Sequence, residues 1–501
     1  MSGQTVDGQN ADSESFLYPI EINDSIFSGP GMDWMLANAR QSQYFLLGEQ
    51  HGVEHLGNFT GFTLTQLSSW GYNRLGLEMD SWTIQRMEET GVNGFISQYP
   101  HSVAFGYDGE LRMIQNALDA NMNLAGLDQM VTAIHPFQRL VVLSQTTEQR
   151  RLSRGAFLKA SLKMGEYLRE EQFRDLDQLT SVFANHPSDE VKQILNELRI
   201  SMEIYTKWRA GQRGEISKQI SPELRENMMK QNFEEWLGDA EPDSLNRAVM
   251  KMGGAHLMYG IGPNGIPTLG EYIRKQSALK GHKVFAVGIR NFDPETSLVT
   301  EEDFGTAQMV VVDTRKIRNQ PNNESISLQN RDYNQLSING FDAIVYFKNS
   351  EWANQSILSR HEQKFKSQLI NQIIPLGILL LLSLISVFIL SFQLFKQKQK
   401  TINISVWLAF LTSFLLSGLV IWQLLAILNI ISHTATIMNP GISVWIFAAC
   451  VVLSVFCIVL AIRNIRLKQP GSPFRLYYVI MAMVFIVLSG YCYYWNLGGM
   501  I

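Results

Sequence analysis

Short apolar runs that end in a titratable residue recur in the N-terminal part of the chain, and they constrain the fold more than any other feature. These runs occupy residues 44–47, 73–79, 122–127, 247–252 and 283–289. Stretches with helical spacing of apolar residues lie between them, at 55–70, 108–120 and 269–279. Strands that alternate with helices pair in parallel through right-handed crossovers. The pattern therefore predicts an α/β domain with a mostly parallel sheet flanked by helices.

Polar residues follow the strand candidates, and in such sheets ligands bind outside the carboxyl ends of the strands. The residues in question are Glu49, His51, Glu78, Asp128, His256 and Arg290. Taken singly, an acid after a strand often caps the next helix, and a lone histidine is more often structural. Two Gly-x-x-His segments, 48–51 and 253–256, with Glu78 between them, favour a functional cleft. The glycines are expected to permit the tight turns that present the histidines.

Residues 136–240 show apolar residues at three- and four-residue spacing, which predicts a helical insertion that forms a lid or substrate-binding subdomain. Ser221 is predicted to be the N-cap of one of its helices. Arg225, Met229 and Asn232 then share a helix face. Two interpretations remain open: an ordinary amphipathic helix with a solvated arginine, or a guanidinium over the cleft that binds a carboxylate or stabilises an oxyanion.

Composition limits the chemistry of the α/β domain. The chain has 501 residues, so two or more domains are expected, and its net charge of −4 with no basic block argues against a nucleic-acid partner. Its three cysteines are Cys450, Cys457 and Cys492. A disulfide framework, a cysteine zinc site and a thiol nucleophile are therefore excluded from the α/β domain. The open choices are an activated water, a hydroxyl nucleophile, or a metal held by histidines and carboxylates.

The composition changes abruptly after residue 370. Four almost wholly apolar segments follow, at 373–394, 404–431, 441–462 and 476–497. Each reaches the roughly 20 residues that cross a bilayer. We predict a C-terminal bundle of four transmembrane helices that serves as an anchor or binds a membrane protein partner. The predicted organisation is a tail (1–35), the α/β domain (36–350), a linker (351–372) and a membrane domain (373–501).

The charges between the apolar segments predict an orientation. Lysines and arginines occupy the first and third connections, 395–403 and 463–475, whereas the second connection has none. By the positive-inside rule, the protein is a multi-pass protein of the cell membrane whose α/β domain is extracytoplasmic. Residues 1–15 contain no apolar segment of the kind that a signal peptide needs, so the opposite orientation also stays open.

Four motifs resemble those of the erythromycin esterase-like superfamily, which includes ChaN-like haem-binding lipoproteins and TIKI/TraB metalloprotease-like proteins. They are LLGEQHGVEH (46–55), LGLEMD (75–80), RENMMKQNFEEWL (225–237) and MGGAHLMYG (252–260). The resemblance covers residues 40–350. It implies that His51 is a general base that activates water, that Glu49 and Glu78 orient or polarise, and that Arg225 and His256 complete the site.

One departure from the esterase pattern widens the choice of mechanism. Erythromycin esterases have Glu-x-x-His, whereas Glu49 and His51 are two residues apart. Gly-Glu-Gln-His is closer to the motifs of TIKI/TraB and ChaN-like proteins. Macrolide hydrolysis is therefore disfavoured as the native role, and a divalent metal ion held by His51, Glu78 and His256 becomes an alternative.

Two functions follow from these observations. The first is a membrane-anchored hydrolase that cleaves an ester or amide bond of a small molecule or peptide with an activated water, either histidine-based or metal-assisted. The alternative is a protein that binds haem, iron or another small ligand at the membrane surface without catalysis, with Met258 or Tyr259 as further iron ligands. An inert ectodomain is disfavoured, because several titratable residues at strand ends would be costly without a use.

Overall fold

The computed structural model describes residues 16–53, 55–99, 107–161, 168, 172–185, 187–238, 247–319 and 331–348. The four predicted membrane segments lie in 349–501 and so fall outside the described residues. Among the residues that are described, no helix combines the length and the hydropathy needed to cross a membrane.

In the described part of the chain, nine strands form a single sheet. They are β1 (Leu17–Asn23), β2 (Ile26–Ser28), β3 (Tyr44–Glu49), β4 (Tyr72–Leu77), β5 (Asn123–Gly126), β6 (Arg247–Gly253), β7 (Val284–Asn291), β8 (Met309–Asp313) and β9 (Ala343–Phe347). Their order is β2-β1-β8-β9-β7-β3-β6-β4-β5. The six neighbouring strands β9, β7, β3, β6, β4 and β5 pair in parallel. The pairings β9–β8, β8–β1 and β1–β2 are antiparallel. The prediction of an α/β domain whose sheet is flanked by helices is confirmed, and the sheet combines parallel with antiparallel pairings.

The helices of the described residues connect these strands. They are α1 (Pro30–Arg40), α2 (Leu56–Ser68), α3 (Ser81–Gln98), α4 (Asp108–Asp119), α5 (Ile134–Leu143), α6 (Thr147–Ser161), α7 (Gln172–Phe183), α8 (Asp189–Gln212), α9 (Ile220–Leu237), α10 (Gly254–Leu257), α11 (Leu269–Leu279), α12 (Thr314–Arg318) and α13 (Arg331–Gly340), with a 3₁₀ turn at Glu301–Phe304. The predicted helices at 55–70, 108–120 and 269–279 correspond to α2, α4 and α11. Strands β1 and β2 join the sheet although they precede residue 36, where the α/β domain was predicted to begin.

The chain divides into two compact units. The sheet unit comprises Met1–Thr132, Leu168–Glu170 and Gln193–His361. The second unit comprises Ala133–Tyr167, Glu171–Lys192 and Glu362–Ile501, and its described part consists of α5, α6, α7 and the first residues of α8. The predicted helical insertion is therefore shared between the units, since α9 belongs to the sheet unit.

One face of the sheet packs tightly because two neighbouring strands carry glycines. Gly48 of β3 lies opposite Gly288 of β7, and the ring of Phe341 covers both. A Cβ atom on Gly48 would lie 2.6 Å from a ring carbon of Phe341. The predicted turn-forming role is therefore wrong for Gly48, which lies within β3 and admits an aromatic ring. The positive φ of 84° that a turn requires belongs to Gly52, after His51.

Candidate active site

The structure brings the five predicted site residues together at the carboxyl ends of the parallel strands. Glu49 is the last residue of β3, Glu78 follows β4, and His256 lies in α10, directly after β6. Arg225 comes from α9. Parallel pairing of β3, β6 and β4 places these strand ends side by side, with Glu49 in register with Gly253. The expectation of a polar cluster at this edge therefore holds for all five residues.

The first element of the site is a histidine–carboxylate pair formed by Glu49 and His51. Nδ1 of His51 lies 2.8 Å from Oε1 of Glu49. The Glu49 side chain is 3% exposed, whereas that of His51 is 31% exposed. A carboxylate bonded to one imidazole nitrogen fixes the tautomer and the ring orientation, with the proton on Nδ1. Nε2 of His51 is then the basic atom of the ring.

A second pair of the same kind is formed by His256 and Glu226, a residue that sequence reasoning missed. Nδ1 of His256 lies 2.5 Å from Oε1 of Glu226. The other oxygen, Oε2, accepts the backbone N–H of Leu269 at 2.8 Å, at the start of α11. Both side chains are buried, with 10% of His256 and 7% of Glu226 exposed. A signal was present in the sequence, since Glu226 directly follows Arg225 in a motif that was recognised.

Glu78 lies between the two pairs. Nε2 of His51 is 3.6 Å from Oε2 of Glu78, and Nε2 of His256 is 3.6 Å from Oε1. Oε2 also accepts the backbone N–H of Gly253 at 2.5 Å. A Cβ atom at Gly253 would lie 3.0 Å from Nε2 of His51 and 3.1 Å from Oε2 of Glu78. The Nε2 atoms of His51 and His256 are therefore both directed toward the buried carboxylate of Glu78. The space beside them is open because the last residue of β6, Gly253, has no side chain.

Arg225 holds Glu78 and Asp128 together. Its Nε donates to Oδ1 of Asp128 at 2.8 Å, and its Nη2 donates to Oδ2 of Asp128 and, at 2.9 Å, to Oε1 of Glu78. Burial alone would raise the pKa of Asp128, but the guanidinium outweighs it and lowers that pKa. Arg225 is therefore not the solvated residue of an ordinary amphipathic helix, and the carboxylates that it binds are Asp128 and Glu78 of the protein itself.

The helix that carries Arg225 begins slightly earlier than predicted. Met229 is fully buried, and Nδ2 of Asn232 donates to the carbonyl of Leu127 at 3.0 Å, so the predicted shared face is confirmed. Ser221 is not the N-cap, because α9 begins at Ile220. The Ser221 hydroxyl instead donates to the carbonyl of Ile204 at 2.9 Å.

Behind the first pair lies a buried lysine that sequence reasoning also missed. Nζ of Lys251 contacts Oε2 of Glu49 and lies 3.0 Å from Oε1 of Glu110, which comes from α4. The Lys251 side chain is 4% exposed. Its signal in the sequence was a single lysine between Met250 and Met252 in an otherwise apolar strand.

These contacts set the charges of the first pair. Burial alone would raise the pKa of Glu49, but Lys251 and His51 outweigh it and lower that pKa. Burial alone would lower the pKa of His51, but its bond to Glu49 and the charge of Glu78 raise it. Burial raises the pKa of Glu110 to about 7, although Lys251 opposes this. The result is a charged Glu49 that supports a strengthened imidazole base.

The predicted metal ligands His51, Glu78 and His256 are neighbours, but the surroundings of Glu78 do not suit a divalent cation. The guanidinium of Arg225 donates to one oxygen of Glu78 and the N–H of Gly253 to the other. A dication bound here would have to compete with both donors for the oxygens of Glu78 and would lie beside the positive charge of Arg225. Within the described ranges, no group of three or more His, Cys, Asp or Glu side chains is disposed to hold a metal. The donor set fits acid–base chemistry better.

Met258 and Tyr259, the additional iron ligands predicted under the haem alternative, have other contacts in the structure. Met258 is 5% exposed and belongs to the hydrophobic core. The hydroxyl of Tyr259 donates to Oδ2 of Asp342 at 2.7 Å. Neither side chain therefore supplements the two histidines.

No protein-family model matches the chain, and a search of curated proteins finds no match. Several solved structures are similar. The erythromycin esterase EreC, in an open conformation, shares 12% identity over 64% of this chain and 94% of its own, with a TM-score of 0.42. A succinoglycan biosynthesis protein shares 12% identity over 65% and 91%, with a TM-score of 0.40. Haem-binding ChaN of Campylobacter jejuni shares 10% identity over 66% and 98%, with a TM-score of 0.29. Two of the groups named in the resemblance, the erythromycin esterases and the ChaN-like proteins, are represented among these structures.

Proposed function

We propose that the protein is a membrane-anchored hydrolase in which His51 activates a water molecule that cleaves an ester or amide bond. The observation that supports this most is the pair of carboxylate-held histidines directed at Glu78. Nε2 of His51 takes a proton from water, and the hydroxide attacks the substrate carbonyl. The imidazolium that forms is stabilised by Glu49 and Glu78, which lie on either side of the ring.

The second histidine has a different part in this proposal. His256 is more buried than His51 and faces the other oxygen of Glu78. It donates a proton to the leaving group as the tetrahedral intermediate breaks down, and Glu226 holds its ring in place. Arg225 acts through Glu78, which its hydrogen bond fixes between the two rings. The substrate class in this proposal is the one expected from the sequence, a small molecule or a peptide.

Membrane attachment is part of the same proposal, and it is supported by the hydropathy of residues 373–497. We expect the protein to remain in the membrane pellet after washing with alkaline carbonate and to be released by detergent. Protease treatment of sealed spheroplasts tests the orientation. Degradation of the sheet unit before lysis supports the extracytoplasmic side, and protection until lysis overturns it.

The hydrolase proposal is tested with the full-length protein in detergent and two panels of chromogenic substrates, p-nitrophenyl esters and p-nitroanilides. His51→Asn is expected to lower kcat by about 10²- to 10⁴-fold, the usual contribution of a general base. His282→Asn is the matched control, because His282 precedes β7 and so lies at the amino ends of the parallel strands, opposite the candidate site. Equal turnover by the His51 variant and the wild type would refute the assignment.

The binding alternative is separated by titration with haem. Two histidines at one cleft are the feature that favours it. A shift of the haem absorption band that disappears in His51→Asn, in a protein that hydrolyses neither panel, would support ligand binding in place of hydrolysis. Turnover without such a shift supports the enzyme.

A further inference from the structure

Lys251 is a charged residue in the interior of the sheet. It lies in β6, and its neighbours Met250 and Met252 are 0% exposed. The whole side chain is only 4% exposed, so the ammonium group cannot reach water along its stem as a surface lysine does. Several kcal/mol are typically needed to bury one unpaired charge. The position therefore tolerates a lysine only because carboxylates surround its Nζ atom.

The strand register explains which carboxylates these are. Lys251 is in register with Leu47, and Glu49 is in register with Gly253. Residues two apart along a strand point to the same face, so Lys251 and Glu49 lie on one face of adjacent strands. Glu110 reaches the same ammonium from α4, with 3.0 Å between Nζ and Oε1. Tyr107 lies close to both carboxylates, which together with burial raise its pKa.

The two oxygens of Glu49 have separate partners. Oε1 lies 2.8 Å from Nδ1 of His51, and Oε2 contacts Nζ of Lys251. The contact with Lys251 is an ion pair and not a hydrogen bond, and together with the bond at Oε1 it restricts rotation of the carboxylate about its terminal bond. The direction of the bond to His51 is therefore set by a residue that does not touch the imidazole.

We propose that Lys251 is the positioning residue of the candidate base: it anchors one oxygen of Glu49 so that the other stays directed at His51. The inference rests on the proposed hydrolase function for its kinetic consequence, but its structural consequence is independent of turnover. Outer partners of this kind commonly contribute 10- to 100-fold to a site, roughly, by orienting the group that acts.

The kinetic test compares Lys251→Met, which keeps the unbranched stem without the charge, with Lys251→Arg, which keeps the charge. With full-length protein in detergent and a p-nitrophenyl ester, Lys251→Met is expected to lower kcat by about 10- to 100-fold with little change in KM. Lys251→Arg is expected to recover most of the loss. The control is Lys159→Met, since Lys159 pairs with Asp175 in the second unit, 2.5 Å apart.

The structural test uses protein labelled with [15N]histidine and needs no substrate. The Nδ1–H resonance of His51, assigned by its absence from His51→Asn, is expected to vanish or shift in Lys251→Met and to remain in Lys251→Arg. An unchanged resonance and an unchanged kcat in Lys251→Met overturn the proposal. A lost resonance in a protein without hydrolytic activity upholds the positioning role and rejects the hydrolase.

A third variant covers the case in which Lys251→Met does not fold. Glu49→Gln/Lys251→Met removes both charges, which is often nearly neutral for stability. It is expected to be at least as active as Glu49→Gln alone, because without Lys251 the amide can turn its oxygen to His51. A further loss of tenfold or more would assign Lys251 a separate role and overturn the proposal.

Discussion

The two histidine–carboxylate pairs of the site have the same bonding pattern but are built in different ways. Glu49 and His51 are two residues apart at one strand end, and His51 is 31% exposed. Glu226 and His256 are separated by 30 positions, come from α9 and α10, and are both largely buried. Glu226 also bonds the first N–H of α11. The Glu49–His51 pair is thus formed within one short segment and is partly exposed to solvent. The Glu226–His256 pair links the three helices α9, α10 and α11.

This difference suggests a division of labour. The imidazole of His51 is partly exposed, its pKa is raised, and its carboxylate partner Glu49 is paired with Lys251. These properties suit a base that must contact water. The buried imidazole suits a group that meets only the leaving part of a bound substrate. This division of labour can be tested by replacing Glu49 and Glu226, one at a time, with glutamine. In each variant the neighbouring hydrogen-bond donors force the new amide group into one orientation.

The largest effect is expected for Glu49→Gln. Lys251 can only donate, so the amide oxygen must face Lys251 and the amide N–H₂ must face His51. The proton of the ring then moves to Nε2, which removes the basic lone pair. We expect kcat to fall by about 10³- to 10⁴-fold, as when an orienting carboxylate of a catalytic triad is replaced by an amide.

In Glu226→Gln the amide is oriented in the same way, because the backbone N–H of Leu269 can only donate. The amide oxygen must face Leu269, and the amide N–H₂ must face His256. Nε2 of His256 would then hold the only proton of the ring, and a neutral imidazole cannot release it, so proton donation to the leaving group is lost. We expect a loss of about tenfold in kcat on p-nitrophenyl esters, whose leaving group needs little protonation. Equal losses in the two variants would show that the histidines share one role and would break the comparison.

An effect of about the same size as that of Glu226→Gln is expected at the point where the first pair meets Glu78. In Gly253→Ala the methyl group would lie 3.0 Å from Nε2 of His51 and 3.1 Å from Oε2 of Glu78, so one of them must move. We expect kcat to fall by about tenfold with little change in thermal stability, since displacements near 1 Å at a reacting group cost up to about 10²-fold.

Gly254→Ala is the matched control for that variant. A Cβ atom there would lie 3.6 Å from its nearest neighbour, the carbonyl oxygen of Glu49, which is an ordinary contact. Its activity should equal that of the wild type. Equal losses in both alanine variants would indicate a general effect on α10 and not a contact with His51.

The same difference between local and distant partners explains what the sequence could predict. Glu49, His51, Glu78 and His256 were found because a strand end can be recognised locally, and parallel pairing then brings strand ends together. The contacts of Glu226 and Lys251 depend on where α9 and α4 pack, and no spacing within the chain encodes that. In the sequence, Lys251 was visible only as a charge within an apolar strand, and Glu226 only as a neighbour of Arg225 in a recognised motif.

Strands missed by sequence reasoning have a similar cause. β8 and β9 are short apolar runs of five residues, Met309–Asp313 and Ala343–Phe347, that carry none of the predicted site residues. They pair with each other in antiparallel fashion although α12 and α13 lie between them, so the rule of alternation does not predict this pairing. β1 and β2 were taken for part of a tail because the rule of alternation begins only at β3.

The smallest expected effect is a dependence of stability on pH that arises at Glu110, which shares Lys251 with the first pair. Burial raises the pKa of Glu110 to about 7 from an ordinary value of 4.5, so the folded state binds this proton more tightly than the unfolded state. The resulting stability is fully present below pH 4.5 and is lost as the pH rises through 7. Glu110→Gln mimics the protonated form and should remove this part of the slope.

Differential scanning calorimetry between pH 5 and pH 8 measures this slope. The Tm of the wild type should fall by a few degrees relative to that of Glu110→Gln, given that about 1 kcal/mol shifts Tm by several degrees. Asp80 also has a pKa that burial and Glu197 raise to about 7, but it is present in both proteins and cancels in the difference. Parallel Tm curves would show that Glu110 remains ionised beside Lys251 throughout. Lys251 would then be shared between two charged carboxylates, and its hold on Glu49 would be weaker than the geometry implies.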